Sequence, residues 1–188
     1  MKCHRIWCAI ALTGLLAASA VVHAQDVGDY RLNPGDVLQV SVWNEEELNR
    51  EVLVRPDGGV SFPLVGDVNA AQRTVTDVQD AIRTRLASYV PDAVVTVSVL
   101  AVNGNKVYVL GKVARPGEYV MSSTLDVMQV LAVAGGVTSF AAENKIQILR
   151  RGPDGKQQAI AFRYSDVKEG NALATNILLK SGDIVVVP

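Results

Sequence analysis

An α+β chain built as two small lobes is what the sequence predicts, and three observations predict it. Valine-rich stretches alternate apolar and polar residues at the strand period, at 37–43, 93–101 and 106–111. Two segments, 74–89 and 125–134, instead carry apolar residues at the three- and four-residue steps of a helix. Between the two sets lies Asn103-Gly104-Asn105, a turn-forming tripeptide that reads as a lobe boundary. Strands, a helix and a closing strand make a small α+β unit, and the pattern occurs on both sides of that boundary. The expected division is a leader at 1–24, a first lobe at 25–102 and a second at 103–188.

The first lobe begins at Tyr30. Pro34-Gly35-Asp36 is a turn, because proline presets φ, glycine takes positive φ and aspartate bonds the neighbouring backbone. A strand follows, with Val37, Val40, Val42 and Trp43 among its apolar residues and Gln39 and Ser41 between them. Residues 44–51, with Glu45, Glu46 and Glu47, read as a polar connection or one helical turn whose acids face water. Arg55-Pro56-Asp57-Gly58 turns into a short strand, Val60-Ser61-Phe62, which Pro63 stops. Leu64 to Val68, through Gly66, is expected to continue extended.

Val75, Val78, Ile82, Leu86 and Tyr89 form one apolar helical face. Thr76 with Gln79 matches a capping box, and Thr74 is an alternative cap. Pro91 limits the helix. Val95, Val97 and Val99 then alternate with Thr96 and Ser98 in a closing strand. In the second lobe a strand at 106–111 runs into Pro116-Gly117, a turn that returns along Tyr119 to Met121. Ser123 or Thr124 caps the next helix, with Leu125, Met128, Leu131 and Ala132 on its apolar face. Gly135-Gly136 ends it, one glycine suiting the left-handed C′ position. A hairpin over 145–151 and 157–163 turns at Pro153-Asp154-Gly155, with Arg150 and Arg151 on its solvent side. Residues 164–175 read as irregular. Ser181-Gly182-Asp183 before the final strand echoes Pro34-Gly35-Asp36.

The run Tyr30-x-Leu-x-Pro-Gly-Asp-x-Leu-x-Val-x-Val-Trp43, then Arg55-Pro-Asp-Gly-x-Val-x-Phe-Pro-Leu-Val-Gly66, resembles the N-terminal domain of Wza-type polysaccharide export proteins. Gly111-Lys112-Val113-Ala114-Arg115-Pro116-Gly117-Glu118-Tyr119 is similar to the signature of SLBB domains, soluble-ligand-binding β-grasp modules. The resemblance implies a small β-rich export domain with one helix followed by a β-grasp domain. It implies a component of an exopolysaccharide or capsule export machine, periplasmic and associated with the outer membrane. Such proteins form a homo-oligomeric ring whose lumen admits the polysaccharide, above an inner-membrane co-polymerase. Longer members continue into an amphipathic helix that builds an outer-membrane barrel. Here the last strand ends at Pro188, so a short form needing a separate outer-membrane barrel protein is expected.

Lys2 and Arg5 followed by an apolar run to Ala20 read as a secretory leader, and Val22-His23-Ala24 places cleavage after Ala24. Both cysteines, Cys3 and Cys8, and both histidines, His4 and His23, lie within it. The expected mature chain thus has no disulfide, thiol nucleophile or histidine base, and no cysteine stands where lipidation would need one. It keeps all 19 acidic residues but loses Lys2 and Arg5, so net charge moves from −1 to about −3. No basic patch calls for nucleic acid.

No phosphate loop, nucleophile elbow or dinucleotide fingerprint is present, so the chain reads as no enzyme, with no cofactor and no metal. Asp36, Asp57, Asp154 and Asp183 each sit beside glycine in a turn, where bonding the backbone is the simpler role. Arg55 and Arg115 begin the family turns, and their simpler role is to cap carbonyls or pair with an acid. Trp43 and Tyr119 read first as core. All four are candidates for contact with a neighbouring subunit or with sugar. The competing reading is a soluble periplasmic module that binds a carbohydrate or small ligand. The Tyr30 to Gly66 block separates the two, since it belongs to export.

Overall fold

The computed structural model describes residues 30–188. The leader reading lies outside the described residues. In the first lobe β1 (Val37–Val42) is the centre of a three-stranded sheet, antiparallel both to β2 (Arg50–Leu53) and to β5 (Val95–Ala101). The two-residue period buries Leu38, Val40 and Val42 and turns Val37, Gln39 and Ser41 to the opposite face. β2 falls within and beyond what reads as a polar connection. The Glu46–Leu48 turn is a single 3-10 turn, and of the four residues of β2 only Val52 is buried.

β3 (Gly59–Phe62) and β4 (Gly66–Asn69) pair as an antiparallel hairpin. The chain therefore reverses at Pro63-Leu64-Val65, where continued extension was expected, and Leu64 takes φ 64° to make the reversal. Helix α1 (Val75–Leu86) is capped by Thr74 and not by Thr76. Thr74 Oγ1 accepts from Asp77 N at 3.1 Å while Asp77 Oδ2 accepts from Thr74 N at 3.0 Å, a reciprocal box two residues earlier than Thr76 and Gln79 offer. Val78, Ile82 and Leu86 enter the core against β1 and β5. Tyr89 stands past the helix end and is exposed.

The second lobe contains β6 (Lys106–Gly111), β7 (Gly117–Val120), α2 (Val127–Val133), β8 (Ile146–Arg151), β9 (Gln157–Phe162), α3 (Tyr164–Lys168) and β10 (Ile184–Val187). Its five strands are ordered β7-β6-β10-β8-β9. β10 runs parallel to β6 and antiparallel to β8, so a central parallel pair is flanked by two hairpins. With α2 in the core on one face, this is the β-grasp arrangement. Val107, Val109, Val185 and Val187 are buried beside Val127, Val130 and Leu131, each such side chain contributing about 1.5–3 kcal/mol relative to exposure. The two cores share no residue.

α2 starts later than Ser123 or Thr124. Leu125 O accepts Leu179 N at 2.8 Å and Asp126 bridges Leu178, which holds this stretch extended. Asp126 then becomes the cap, in a box with Gln129. The late start rotates the buried face to Val127, Val130, Leu131 and Ala134, leaving Ala132 exposed. At the other end Gly136 N bonds Leu131 O at 2.8 Å and Gly135 N bonds Ala132 O at 3.0 Å, the Schellman pattern. Residues 164–175 are less irregular than expected, since they hold α3 and a 3-10 turn at Leu173–Thr175. The reversal before β7 is spread over Lys112 to Pro116, and Gly117 opens the strand instead of completing a tight turn.

Candidate functional site

The two aspartate turns are the same object used twice. In Asn33-Pro34-Gly35-Asp36, Asp36 N donates to Asn33 O at 3.1 Å and Asp36 Oδ2 accepts from Asn33 N at 2.8 Å. In Lys180-Ser181-Gly182-Asp183 the corresponding distances are 3.0 and 2.8 Å. Gly35 and Gly182, at φ 99° and 85°, occupy the position that a type II turn reserves for positive φ. Both carboxylates are fully buried, and a buried carboxylate needs several donors.

Their remaining partners differ. Asp36 accepts from Tyr30 Oη at 2.6 Å and from Gly104 N at 2.8 Å. Burial first, then the bond to Asp36, pushes the Tyr30 phenol well above its ordinary range, so at neutral pH it is the donor. Asp183 instead meets the Arg150 guanidinium through three contacts of 2.6–3.1 Å. Arg150 was expected on the solvent side of its hairpin. It shares the inward parity of Ile146 and Ile148, and at the strand end it folds onto Asp183 and onto Leu178 O.

The turns meet at Gly104. Asp36 binds its N–H, and Ser181 Oγ donates to its carbonyl at 2.9 Å. A Cβ here would stand 2.3 Å from Pro34 O and 2.8 Å from Asn33 Cβ, so only glycine fits. The boundary tripeptide is thus a brace between the lobes. Beside it opens a cleft of about 1140 Å³, lined among others by Tyr30, Gln72, Asn105, Met121, Ser123 and Arg150. No single stretch of sequence marks this cleft. The repeated Gly-Asp turn was the signal that pointed to its two ends.

The other candidates are placed as follows. Gly58, at φ 83°, closes the Arg55-Pro56-Asp57 turn, where Arg55 binds Asp57 Oδ2 and Asp67 Oδ1 at 3.0 Å each and Ser61 Oγ at 2.6 Å. Hydrogen bonds from Arg55 hold both carboxyls below their ordinary range, and the same bonds raise the guanidinium. All three groups face water, which screens the pairing. Arg115 donates to Val133 O at 2.7 Å, at the C-terminal end of α2, and Tyr119 Oη donates to Arg115 O at 2.6 Å beside the second core. Gly111, at φ 97°, lies so close to β10 that a Cβ would be 2.0 Å from Val187 O. Pro63 lies in the β3–β4 turn and Gly66 begins β4.

Trp43 is the candidate that the structure leaves free. Expected in the core, it is 80% exposed. It follows Val42 with its N–H on Val94 O at 2.9 Å, and so shares the outward parity of Ser41 and Gln39. That outward sheet face is mixed, with Thr96 and Ser98 from β5 and Glu51 from β2 beside exposed Leu53 and Val94. The outward face of the second sheet is largely apolar, with one ion pair on it between Lys106 and Glu118 at 3.2 Å. Tyr108, Leu110, Val120, Ile184, Val186 and Leu149 share it by register, and Leu110 and Val120 are each 49% exposed.

An α+β lobe and a β-grasp lobe, joined at Gly104 with a buried carboxylate in each, make the architecture of the chain. The comparisons then name the family. Residues 24–100 match the polysaccharide biosynthesis/export protein family, and residues 106–161 match the SLBB domain. This chain belongs to the polysaccharide export family. It is 30% identical over 180 residues to the EPS I polysaccharide export outer membrane protein EpsA of Ralstonia nicotianae, covering 83% of this chain and 46% of that protein. To the capsule polysaccharide export outer membrane protein CtrA of Neisseria meningitidis it is 27% identical, over 82% of this chain and 43% of the relative. To the polysialic acid transport protein KpsD of Escherichia coli it is 30% identical, over 66% and 22%. The chain spans less than half the length of these relatives. They are proteins of exopolysaccharide and capsule export, which supports the export reading and not the lone binding module.

Proposed function

We propose that the chain is a periplasmic conduit subunit that assembles with copies of itself into a ring and guides a polysaccharide toward an outer-membrane pore. The observation that carries this reading is the ordered pair of family matches, one per lobe, joined by the Gly104 brace. The two separate cores support a division at 102/103 into an export domain and an SLBB domain. The exposed Tyr108, Leu110 and Val120 on the outward face of the second sheet support contact between subunits, since a cluster of exposed apolar side chains marks an interaction site. Asp36, Asp57, Asp154 and Asp183 each bond the backbone of their own turn, which supports passage and not bond making.

The partners this reading calls for are a second copy of the chain, an inner-membrane co-polymerase, an outer-membrane barrel and the polysaccharide itself. Among the described residues, no helix is long and apolar enough to cross a membrane. The test is deletion of the gene. Secreted polysaccharide should be lost and restored by the wild-type gene, and light scattering of the purified protein should show a discrete closed oligomer. Unchanged secretion in the deletion strain would overturn the export role, and a strict monomer after co-purification from native membranes would overturn the ring.

A further inference from the structure

We infer that the groove around Trp43 is a subsite for one uncharged pyranose residue of the transported chain. This rests on the export reading and adds to it a location and a charge preference. The groove has a volume of about 520 Å³ and is lined among others by Ser41, Trp43, Asn44, Glu45, Glu46 and Thr96. Three features converge there. The indole is presented and not packed, because β1–β5 pairing fixes its backbone and Asn44, at φ 62°, turns the chain sharply away after it. An indole face carries negative quadrupole density, which suits the row of C–H bonds on one side of a pyranose ring.

Hydrogen-bonding groups surround that platform. Ser41 and Thr96 stand directly opposite each other in the β1–β5 register, which places two hydroxyls on the indole's own side of the sheet. Asn49 is held in place by its Oδ1, which accepts Val42 N at 2.7 Å, and its amide nitrogen remains a donor at the groove. A platform ringed by hydroxyl, amide and carboxylate groups is the chemistry that reads a polyol. Charge then narrows the choice. Glu45 and Glu46 line the groove and among the described residues no cation lines it, so a uronate or other anionic residue is repelled.

Trp43 also stands seven residues along an extended strand from Asp36, about 23 Å from the brace between the lobes. The subsite therefore belongs to the far tip of the first lobe. It is separate from the cleft at the junction.

The experiment uses the full chain carrying Trp7→Phe, which leaves Trp43 as its one tryptophan, since the sequence has two. Fluorescence and calorimetric titrations are run with cellohexaose and maltohexaose as neutral probes and with hexagalacturonate as the anionic one. At least one neutral probe should give a saturable blue shift and a matching heat. Binding of hexagalacturonate should be about tenfold weaker or absent, and Glu45→Gln with Glu46→Gln should narrow that gap. Trp43→Ala should remove the heat while leaving the melting temperature and the far-UV circular dichroism unchanged, because the side chain is 80% exposed and outside the core. No saturable response to either neutral hexasaccharide, heat that survives Trp43→Ala, or a preference for the anionic probe would each overturn the proposal. Export lost in the deletion strain but normal with Trp43→Ala would leave the conduit reading standing and remove this subsite.

Discussion

Asp36 and Asp183 occupy the same turn, with the same glycine before them and the same amide bond three residues back, yet they stabilise different things. Asp36 is surrounded by neutral donors, and its bonds run from Tyr30 to the lobe boundary at Gly104. Asp183 is matched by a guanidinium, and its bonds tie β10 to β8 within the second sheet. The difference teaches that the Gly-Asp turn is a generic way to bury a carboxylate at a strand entrance. What that carboxylate holds is decided by the residue brought to it from elsewhere in the chain.

Removing the outside partner should separate the two turns most clearly. Arg150→Ala leaves Asp183 buried with one amide donor, and breaking a buried pair from one side costs about 3–5 kcal/mol. Tyr30→Phe leaves Asp36 two amide donors and removes one hydrogen bond to a charged group, about 1.5–3 kcal/mol. Urea unfolding of both variants measures the gap. Equal losses would mean that the guanidinium adds nothing beyond a neutral donor, and the contrast between the turns would collapse.

The next effect tests whether the turns are coupled through the boundary. Gly104→Ala puts a methyl group against Pro34 O, and the nearby backbone must shift by more than an ångström or the pair must part. Overpacking of this kind costs about 1–3 kcal/mol. The shift should also loosen both bonds to residue 104. Amide exchange at Gly104 and at the alanine that replaces it reports the bond to Asp36 directly. Faster exchange at position 104, with the sheet amides of β6 and β10 unchanged, is expected. Unaltered protection would mean that the lobes are held by something other than this brace.

What was legible in the sequence, and what was not, follows the same division between local and distant causes. Pro34-Gly35-Asp36 and Gly135-Gly136 are recognisable because the chemistry that makes them lies within five residues. The strands β1, β5 and β6 are legible because alternation is written along each one. β2 is not, since three of its four residues are exposed and its strand identity comes from pairing with β1. Arg150 looks like a solvated charge until Asp183 is placed beside it across the sheet. Trp43 looks like core by composition, and only the parity of β1 and the turn at Asn44 show that it faces outward. Ser123 and Thr124 are good caps by type, but pairing near Leu178 and Leu179 keeps them out of the helix.

The smallest expected effect comes from the third acid turn, where Arg55 meets the exposed carboxylates of Asp57 and Asp67. Both carboxyls are held below their ordinary range by Arg55, so each favours the folded state while ionised. That contribution is complete above the ordinary aspartate value, about 3.9, and is lost as pH falls through the lowered folded values. Arg55→Gln removes the cause of the depression. The wild-type protein should therefore lose melting temperature more steeply than Arg55→Gln below about pH 4, with the two curves parallel near neutrality. Asp77 is depressed as well, chiefly by the Thr74 amide, but it is common to both proteins and cancels in the difference. At neutral pH the offset should be only a few degrees, because water screens the pair. Parallel curves across the acid range would mean that the Arg55 cluster, unlike the two buried turns, is ordered without contributing to stability.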